Sequence, residues 1–319
     1  MLEGIYDVDE IKILDGGFGT QIAKHIDKSL DDDALWSARL LTTNKEAVIE
    51  THLDFLRAGS NIIGTNTYQA SVEGFKNHLK LSKEESLNLI REAVGLAKTA
   101  RDNYILENPY CKLPLIAGSV GPYGASLHDG SEYTGTYRDT ISKEILKEYH
   151  NGRIEALIDG GVDLLAFETI PCKIEAEVLL ELLKEYPDIK AWLSFNCKNG
   201  TCLASGENFK ETVLYCYNLN PDQLVAIGTN CVSPVFVEEL LSEVHSDKSI
   251  AIPLIVYANS GEDYSKEKGW FGRENCLKPA DYVSKWLDLG VKWIGGCCRV
   301  YDSDISAIRV EVEKYSKKK

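Results

Sequence analysis

The sequence predicts an α/β fold, a single (β/α)8 TIM barrel, and three observations carry that expectation. Short apolar runs alternate eight times with longer helical patterns. One kind of helix stop recurs before the strands: Arg57-Ala58-Gly59-Ser60-Asn61, Asp159-Gly160-Gly161-Val162-Asp163 and Asp288-Leu289-Gly290-Val291-Lys292, each a C′ glycine feeding a buried strand. The 319 residues lie within the length such barrels fill as one domain, and no linker, low-complexity segment or charge block divides 1–319. A doubly wound sheet more often shows five or six such units.

The expected strands follow in order. They are 11–14, 61–64, 114–118, 163–167, 190–195, 224–228, 253–257 and 291–295, each a run of four to six mostly apolar residues. The helices are expected at 44–58, 84–102, 142–159, 173–185, 208–217, 234–245, 279–289 and 303–316. Thr43 or Asn44 can cap the first, where Ala47, Val48, His52 and Phe55 keep a helical spacing. The longest irregular stretches, 119–140 and 258–277, follow a strand and precede a helix. Both therefore belong on the face where barrel active sites form.

Composition narrows the function. Apolar residues at 44% and charged residues at 26% are ordinary for a soluble globular chain. A formal charge of −14 argues against binding nucleic acid through its phosphates. No apolar run reaches the roughly 18 residues of a membrane-spanning helix. The segment Met1–Asp7 lacks the basic and apolar regions of a signal peptide, so a cytoplasmic protein is expected. In that reducing compartment the nine cysteines are expected as thiols or metal ligands rather than disulfides. The expected partners are small molecules, with neither nucleic acid nor membrane, and the expected state is a monomer or weak dimer.

Side chains at the C-terminal ends of barrel strands converge on one mouth. Here they are Asp15, Gly16, Gly17 and Phe18 after strand one, and Thr65, Asn66, Thr67 and Tyr68 after strand two. Ser119 follows strand three, Glu168 and Thr169 strand four, and Asn196 strand five. Asn230 and Cys231 end strand six, Asn259 and Ser260 follow strand seven, and Cys297 and Cys298 close strand eight. Cys231, Cys297 and Cys298 can meet at one ion, and soft thiolates select zinc. Three protein ligands with one open position is the signature of a catalytic site. Buried structural cysteines, or a vicinal Cys297–Cys298 disulfide, are the plainer alternatives.

Asp15-Gly16-Gly17-Phe18-Gly19-Thr20 lacks the lysine of a phosphate-binding loop and the spacing of a dinucleotide fingerprint. It reads as a plain turn or as a cradle for a small carboxylate, with Asp15 facing an ammonium group. Glu168 follows an apolar strand and needs a partner, either an internal cation or a substrate ammonium. Together these features describe a site for a free α-amino acid. Cys197 and Cys202 flank a turn with no second pair to complete a metal knuckle, and the six histidines form no ligand pattern. Lys12, Lys190 and Lys292 stand at strand starts, away from the mouth, which argues against Schiff-base chemistry.

Read together, Leu14-Asp15-Gly16-Gly17, Leu35-Trp36-Ser37-Ala38, Gly64-Thr65-Asn66-Thr67-Tyr68, Phe167-Glu168-Thr169, Gly228-Thr229-Asn230-Cys231, Asn259-Ser260-Gly261-Glu262 and Gly295-Gly296-Cys297-Cys298-Arg299 resemble the homocysteine S-methyltransferase family, in order and over nearly the whole chain. The resemblance implies a zinc-dependent barrel that methylates homocysteine to methionine. It implies that Cys231, Cys297 and Cys298 hold Zn2+, that Asp15 and Glu168 meet the amino group, and that the Gly16 and Gly17 backbone receives the carboxylate. Trp36 matches a tryptophan that helps form the donor pocket in some members. Ala258 stands where a proline is usual, and Val300-Tyr301 replaces a threonine-rich continuation.

The chain ends about twenty residues after the cysteine pair, without room for the C-terminal arm of betaine-using relatives. The expected donor is therefore a sulfonium, S-methylmethionine or S-adenosylmethionine, held by aromatic faces such as Trp36, Phe18 or Tyr68. The alternatives are betaine or another onium donor, a non-catalytic zinc barrel that binds a thiol metabolite, and a phosphate-binding barrel using Gly295-Gly296.

Overall fold

Eight parallel strands close into one cylinder in the computed structural model, which describes residues 10–27, 29–30, 33–242, 244–245, 252–265 and 269–318. The strands are β1 (Lys12–Ile13), β2 (Ile62–Gly64), β3 (Leu115–Val120), β4 (Leu164–Ile170), β5 (Ala191–Phe195), β6 (Leu224–Asn230), β7 (Leu254–Ala258) and β8 (Val291–Gly296). Each pairs with the next in sequence from β2 to β8. β8 pairs with β1 through Lys12↔Trp293 and Ile13↔Ile294, and a Leu14↔Ile62 bridge closes the ring. All eight expected strands are present. The expectation for Met1–Asp7 lies outside the described residues, as do parts of 234–245 and 258–277.

The helices α1 (Lys45–Ala58), α2 (Lys83–Glu107), α3 (Lys143–Gly160), α4 (Lys173–Leu183), α5 (Phe209–Leu219), α6 (Val237–Ser242), α7 (Val283–Asp288) and α8 (Asp302–Ser316) surround the cylinder. Their starts are chemically marked. Asn44, Ser82, Ser142 and Asn208 each accept a backbone N–H three residues on, which satisfies one orphan donor of the first turn. Gly59, Gly161 and Gly290 take the left-handed conformation, with φ of 104°, 79° and 92°, as the recurrent helix stop requires. α2 runs five residues past its expected end. Asn103, Tyr104 and Ile105 keep good helix-forming geometry until Asn108 caps it.

Besides short helical turns such as Phe18–Gln21 and Leu40–Thr43, two further elements lie outside the expected set. Val72–Leu79 forms a helix within the loop after β2, capped by Ser71. Asp263–Ser265 and Gly269–Phe271 form a short antiparallel ribbon after β7. Inside the cylinder, Leu14, Ile62, Leu115, Ala117, Leu164, Ala166, Trp192, Ala226, Ile255, Tyr257 and Trp293 pack as one cluster. Trp192 and Trp293 meet edge-on at 5.9 Å between ring centres. They fill the barrel below the mouth, so the mouth is a cavity with a floor rather than a pore. The lysines lie where expected: Lys12 pairs with Glu10, and Lys190 donates to Asp222 O.

Candidate active site

A cavity of about 100 Å³ opens at the C-terminal ends of the strands. Its wall includes Asp15, Gly16, Gly17, Phe18, Trp36, Thr65, Asn66, Tyr68, Glu168, Cys231, Cys297 and Cys298. Twelve of the fourteen residues expected at the site therefore share one wall. Asn230 and Asn259 stand outside it.

The thiols come together through backbone geometry. Cys231 N–H donates to Tyr257 O at 3.1 Å, and Cys297 N–H donates to Ala258 O at 2.8 Å. The end of β7 thus spaces the cysteines of β6 and β8. Cys231 takes a φ of 51° and Arg299 one of 64°, unusual values for side-chain-bearing residues. Asn196 Nδ2 donates to Cys231 O at 3.1 Å, and Arg299 N–H donates to Thr20 Oγ1 at 3.0 Å, and these bonds hold the two turns. The three sulfurs lie within 4.8 Å of one another, and those of Cys231 and Cys298 stand 3.5 Å apart.

Three sulfurs at about 2.3 Å from a tetrahedral zinc ion stand about 3.8 Å apart, so the cluster has the spacing and donor chemistry of a three-cysteine zinc site. Hydrogen bonds from Cys231 and Cys297 hold the Cys298 thiol well below its ordinary range. Hydrogen bonds with Cys231 and Cys298 hold Cys297 well above it. One thiolate is thus favoured in the cluster, which suits a cation.

The carboxylates are held differently. Asp15 Oδ2 accepts the Gly64 N–H at 2.7 Å. Glu168 accepts from the Ser119 hydroxyl and, at 3.2 Å, from the Tyr257 hydroxyl. No cation pairs with either acid among the described residues, so Glu168 is not neutralised internally. Burial pushes Asp15 up to about 8, against the Gly64 hydrogen bond and with help from the Glu168 charge. Burial also raises Glu168, against the Ser119 and Tyr257 hydrogen bonds. Two acids short of counter-charge face one small cavity, an arrangement that favours a cationic ligand.

Some expected roles are corrected by the geometry. Gly17 N–H donates to Val300 O at 2.9 Å, so it is already engaged and does not face a carboxylate. The glycines are required for close approach: a Cβ at Gly16 would stand 2.5 Å from Val300 O, and one at Gly17 2.5 Å from Cys297 O. Asn259 Oδ1 accepts the Gly261 N–H at 2.9 Å and shapes a turn away from the cavity. Asn230 acts from behind the wall. Its Oδ1 accepts Thr169 N–H at 2.7 Å and its Nδ2 donates to Thr169 Oγ1 at 2.9 Å, holding Thr169 at a φ of 61° beside Glu168. Asn66 ties the Trp36–Ser37 turn to β2 through both Ser37 O and Ser37 Oγ. Thr65 Oγ1 accepts Ser119 N–H at 3.0 Å. Cys197 and Cys202 flank a turn whose N–H groups are accepted by Asn199, as expected.

Tyr133, Tyr257 and Trp192 also line the cavity and were not foreseen there. Tyr257 donates to Glu168 and accepts from Trp192 Nε1 at 2.9 Å, so it forms the floor beneath the acids. Tyr133 is half exposed as a residue, and its hydroxyl helps to lower the Cys298 thiol. A signal for Tyr133 existed: it lies in the irregular stretch 119–140 that the barrel reading assigned to this face.

A family profile for homocysteine S-methyltransferase matches residues 12–312. The chain belongs to the homocysteine S-methyltransferase family. The Drosophila melanogaster protein named Betaine-homocysteine S-methyltransferase is 48% identical over 97% of this chain and 96% of its own. The Escherichia coli K12 Homocysteine S-methyltransferase is 40% identical over 97% of both chains. The crystal structure of the Escherichia coli homocysteine methyltransferase MmuM in its metallated form superposes with a TM-score of 0.85 at 38% identity. It covers 97% of this chain and 99% of that one. This chain is accordingly an enzyme that transfers a methyl group to homocysteine, on a single TIM barrel. Length does not separate the donors, because the Drosophila relative named for betaine is matched end to end. Among the described residues no helix is long and apolar enough to cross a membrane.

Proposed function

We propose that residues 1–319 form one zinc-dependent barrel that methylates homocysteine from a sulfonium donor of the S-methylmethionine type. The three-thiol cluster facing two uncompensated carboxylates across one cavity carries this reading. Cys231, Cys297 and Cys298 would hold the zinc ion. When bound, that ion supplies acidity, keeping a coordinated substrate thiol ionised at neutral pH.

The chain's own residues do the rest. Asp15 and Glu168 take the homocysteine ammonium, whose charge offsets the burial of these two acids. The Gly16 backbone is left as the carboxylate contact once Gly17 is engaged. In the transfer, the homocysteine sulfur forms a bond to the donor's methyl carbon as the donor's sulfonium–carbon bond breaks. The thiol proton leaves to solvent, and the donor departs as a neutral thioether. Trp36, Phe18 and Tyr68 wall the cavity with aromatic surface, which stabilises an onium cation by about 0.5–2 kcal/mol and excludes water. An anionic nucleophile and a cationic donor become neutral products, so a dry cavity favours the transfer. The protein would work in the cytoplasm, where its thiols stay reduced, as a monomer or weak dimer.

The test pairs two measurements on purified protein: zinc content, and methionine formed from homocysteine with S-methylmethionine, S-adenosylmethionine or betaine. About one zinc per chain and preference for S-methylmethionine support the reading. Full turnover without metal, or turnover with betaine alone, defeats it.

A further inference from the structure

The run Asn259-Ser260-Gly261-Glu262 contributes no residue to the cavity wall, yet it grips both turns that carry the thiols. Asn259 N–H donates to Val232 O, one residue past Cys231, at 3.0 Å. Ser260 N–H donates to Cys298 O at 3.1 Å. Tyr257 O and Ala258 O already take the N–H groups of Cys231 and Cys297. Four successive residues of one segment thus bind the two cysteine turns. Cys231 and Cys297 are anchored by their own N–H groups, whereas Cys298 is tied to the segment through its carbonyl, at Ser260.

Glu262 fixes this arrangement with its side chain. Its Oε2 accepts the buried Ser260 hydroxyl at 2.7 Å, and its N–H donates back to Ser260 Oγ at 3.3 Å. The same carboxylate accepts from Arg299, the residue after Cys298, through Nε at 3.3 Å and Nη2 at 3.5 Å. Arg273 Nη1 donates to Ser260 O at 3.3 Å. The Glu262 side chain is only 3% exposed, against 35% for Arg299. Burying a carboxylate is costly unless it is paired and hydrogen-bonded, and here it is both. Arg299 holds a left-handed φ of 64°, which a residue with a side chain keeps only where its surroundings enforce it. Thr20 holds its N–H and Glu262 its guanidinium.

We infer that Glu262 is a positioning residue for the thiol cluster: by clasping Ser260 and Arg299 it keeps Cys298 at the spacing from Cys231 and Cys297 that a metal ion needs. This rests on the zinc reading and deepens it. Glu262 touches neither the thiols nor the cavity, so it acts through the Cys298–Arg299 turn. Groups behind a ligand set its direction, and a ligand held in place need not be ordered again when the ion binds.

The experiment follows zinc release from the loaded full chain to excess 4-(2-pyridylazo)resorcinol. Glu262→Gln is the gentlest probe. It keeps an amide oxygen for the Ser260 hydroxyl and leaves unpaired only Arg299, which can turn to water. It should release zinc about tenfold or more faster than the wild type, the range commanded by partners behind a metal ligand. Arg299→Gln should do the same. The double variant should stay within about threefold of the faster single one, because both changes break one contact. Release from Glu262→Gln at the wild-type rate overturns the inference even if the melting temperature falls, since the pair is then merely structural. Effects that multiply in the double variant also overturn it, since Glu262 then does not act through Arg299. Loaded with Co2+, Glu262→Gln should show a visible spectrum altered from the wild type's. An unchanged spectrum means that the sulfurs keep their places without Glu262, and overturns the inference. Should Glu262→Gln not fold by circular dichroism, Arg299→Gln decides by the same release rate and spectrum. A wild type that binds no zinc defeats the zinc reading and the inference with it. A wild type that holds zinc, beside a Glu262→Gln protein that holds it equally long, defeats the inference alone.

Discussion

The two sides of the cavity are held by different means. On the thiol side, Cys231 and Cys297 hang from the β7 carbonyls of Tyr257 and Ala258 by their own backbone N–H groups. On the acid side, Glu168 depends on the hydroxyls of Ser119 and Tyr257, and Asp15 on the Gly64 N–H. Backbone bonds survive side-chain replacement, so the cluster can lose a ligand and keep its shape. Side-chain bonds do not, so Glu168 is tuned by neighbours that can each be changed, whereas Asp15 rests on a backbone donor. On the proposed reading the thiol side would hold a resident cation, and the acid side a cationic group that comes and goes.

Breaking the thiol side should have the largest effect. Cys298→Ser should abolish stoichiometric zinc and lower kcat/KM by more than about a hundredfold, since even the partners behind a metal ligand are worth 10–100-fold. The circular-dichroism melt should move little, because the Cys298 backbone contact to Ser260 N–H remains. Full turnover in the purified variant would show that the ligand assignment is mistaken. On the acid side, Glu168→Gln should raise the homocysteine KM about ten- to hundredfold, the range of a charged hydrogen bond, while zinc content stays unchanged. An unmoved KM would remove Glu168 from the ammonium site.

The pH dependence sharpens the contrast. Asp15 is pushed up to about 8 in the free protein, so at neutral pH it carries a proton. Binding an ammonium favours its charged form and expels that proton. Homocysteine affinity should then rise with pH and level off above about 8. In Asp15→Asn this limb should vanish and leave a weaker, flatter profile, as measured by homocysteine KM across neutral pH. A rising limb that persists in Asp15→Asn would assign it to another group. The smallest effect is expected at Asn259→Ala, which removes one turn hydrogen bond. It should lower stability by about 1 kcal/mol or less and leave homocysteine KM within about twofold. A large KM change there would restore Asn259 to the binding site.

Much of this was legible in the chain. Period, punctuation and the recurrent glycine stops placed all eight strands, because a strand buried on both faces must be an apolar run and a helix must end where its carbonyls can be capped. Strand-end position then put Asp15, Glu168, Cys231, Cys297 and Cys298 on one mouth, since parallel strands in a closed barrel share a single C-terminal face. What sequence order could not decide is which way each side chain turns beyond its strand. Asn230 and Asn259 occupy the expected positions, yet one bonds Thr169 and the other Gly261. Tyr257 sits inside a strand yet donates to Glu168, and Tyr133 reaches Cys298 from a loop. Those choices depend on hydrogen-bond partners brought together from distant segments, and only the closed barrel sets their distances.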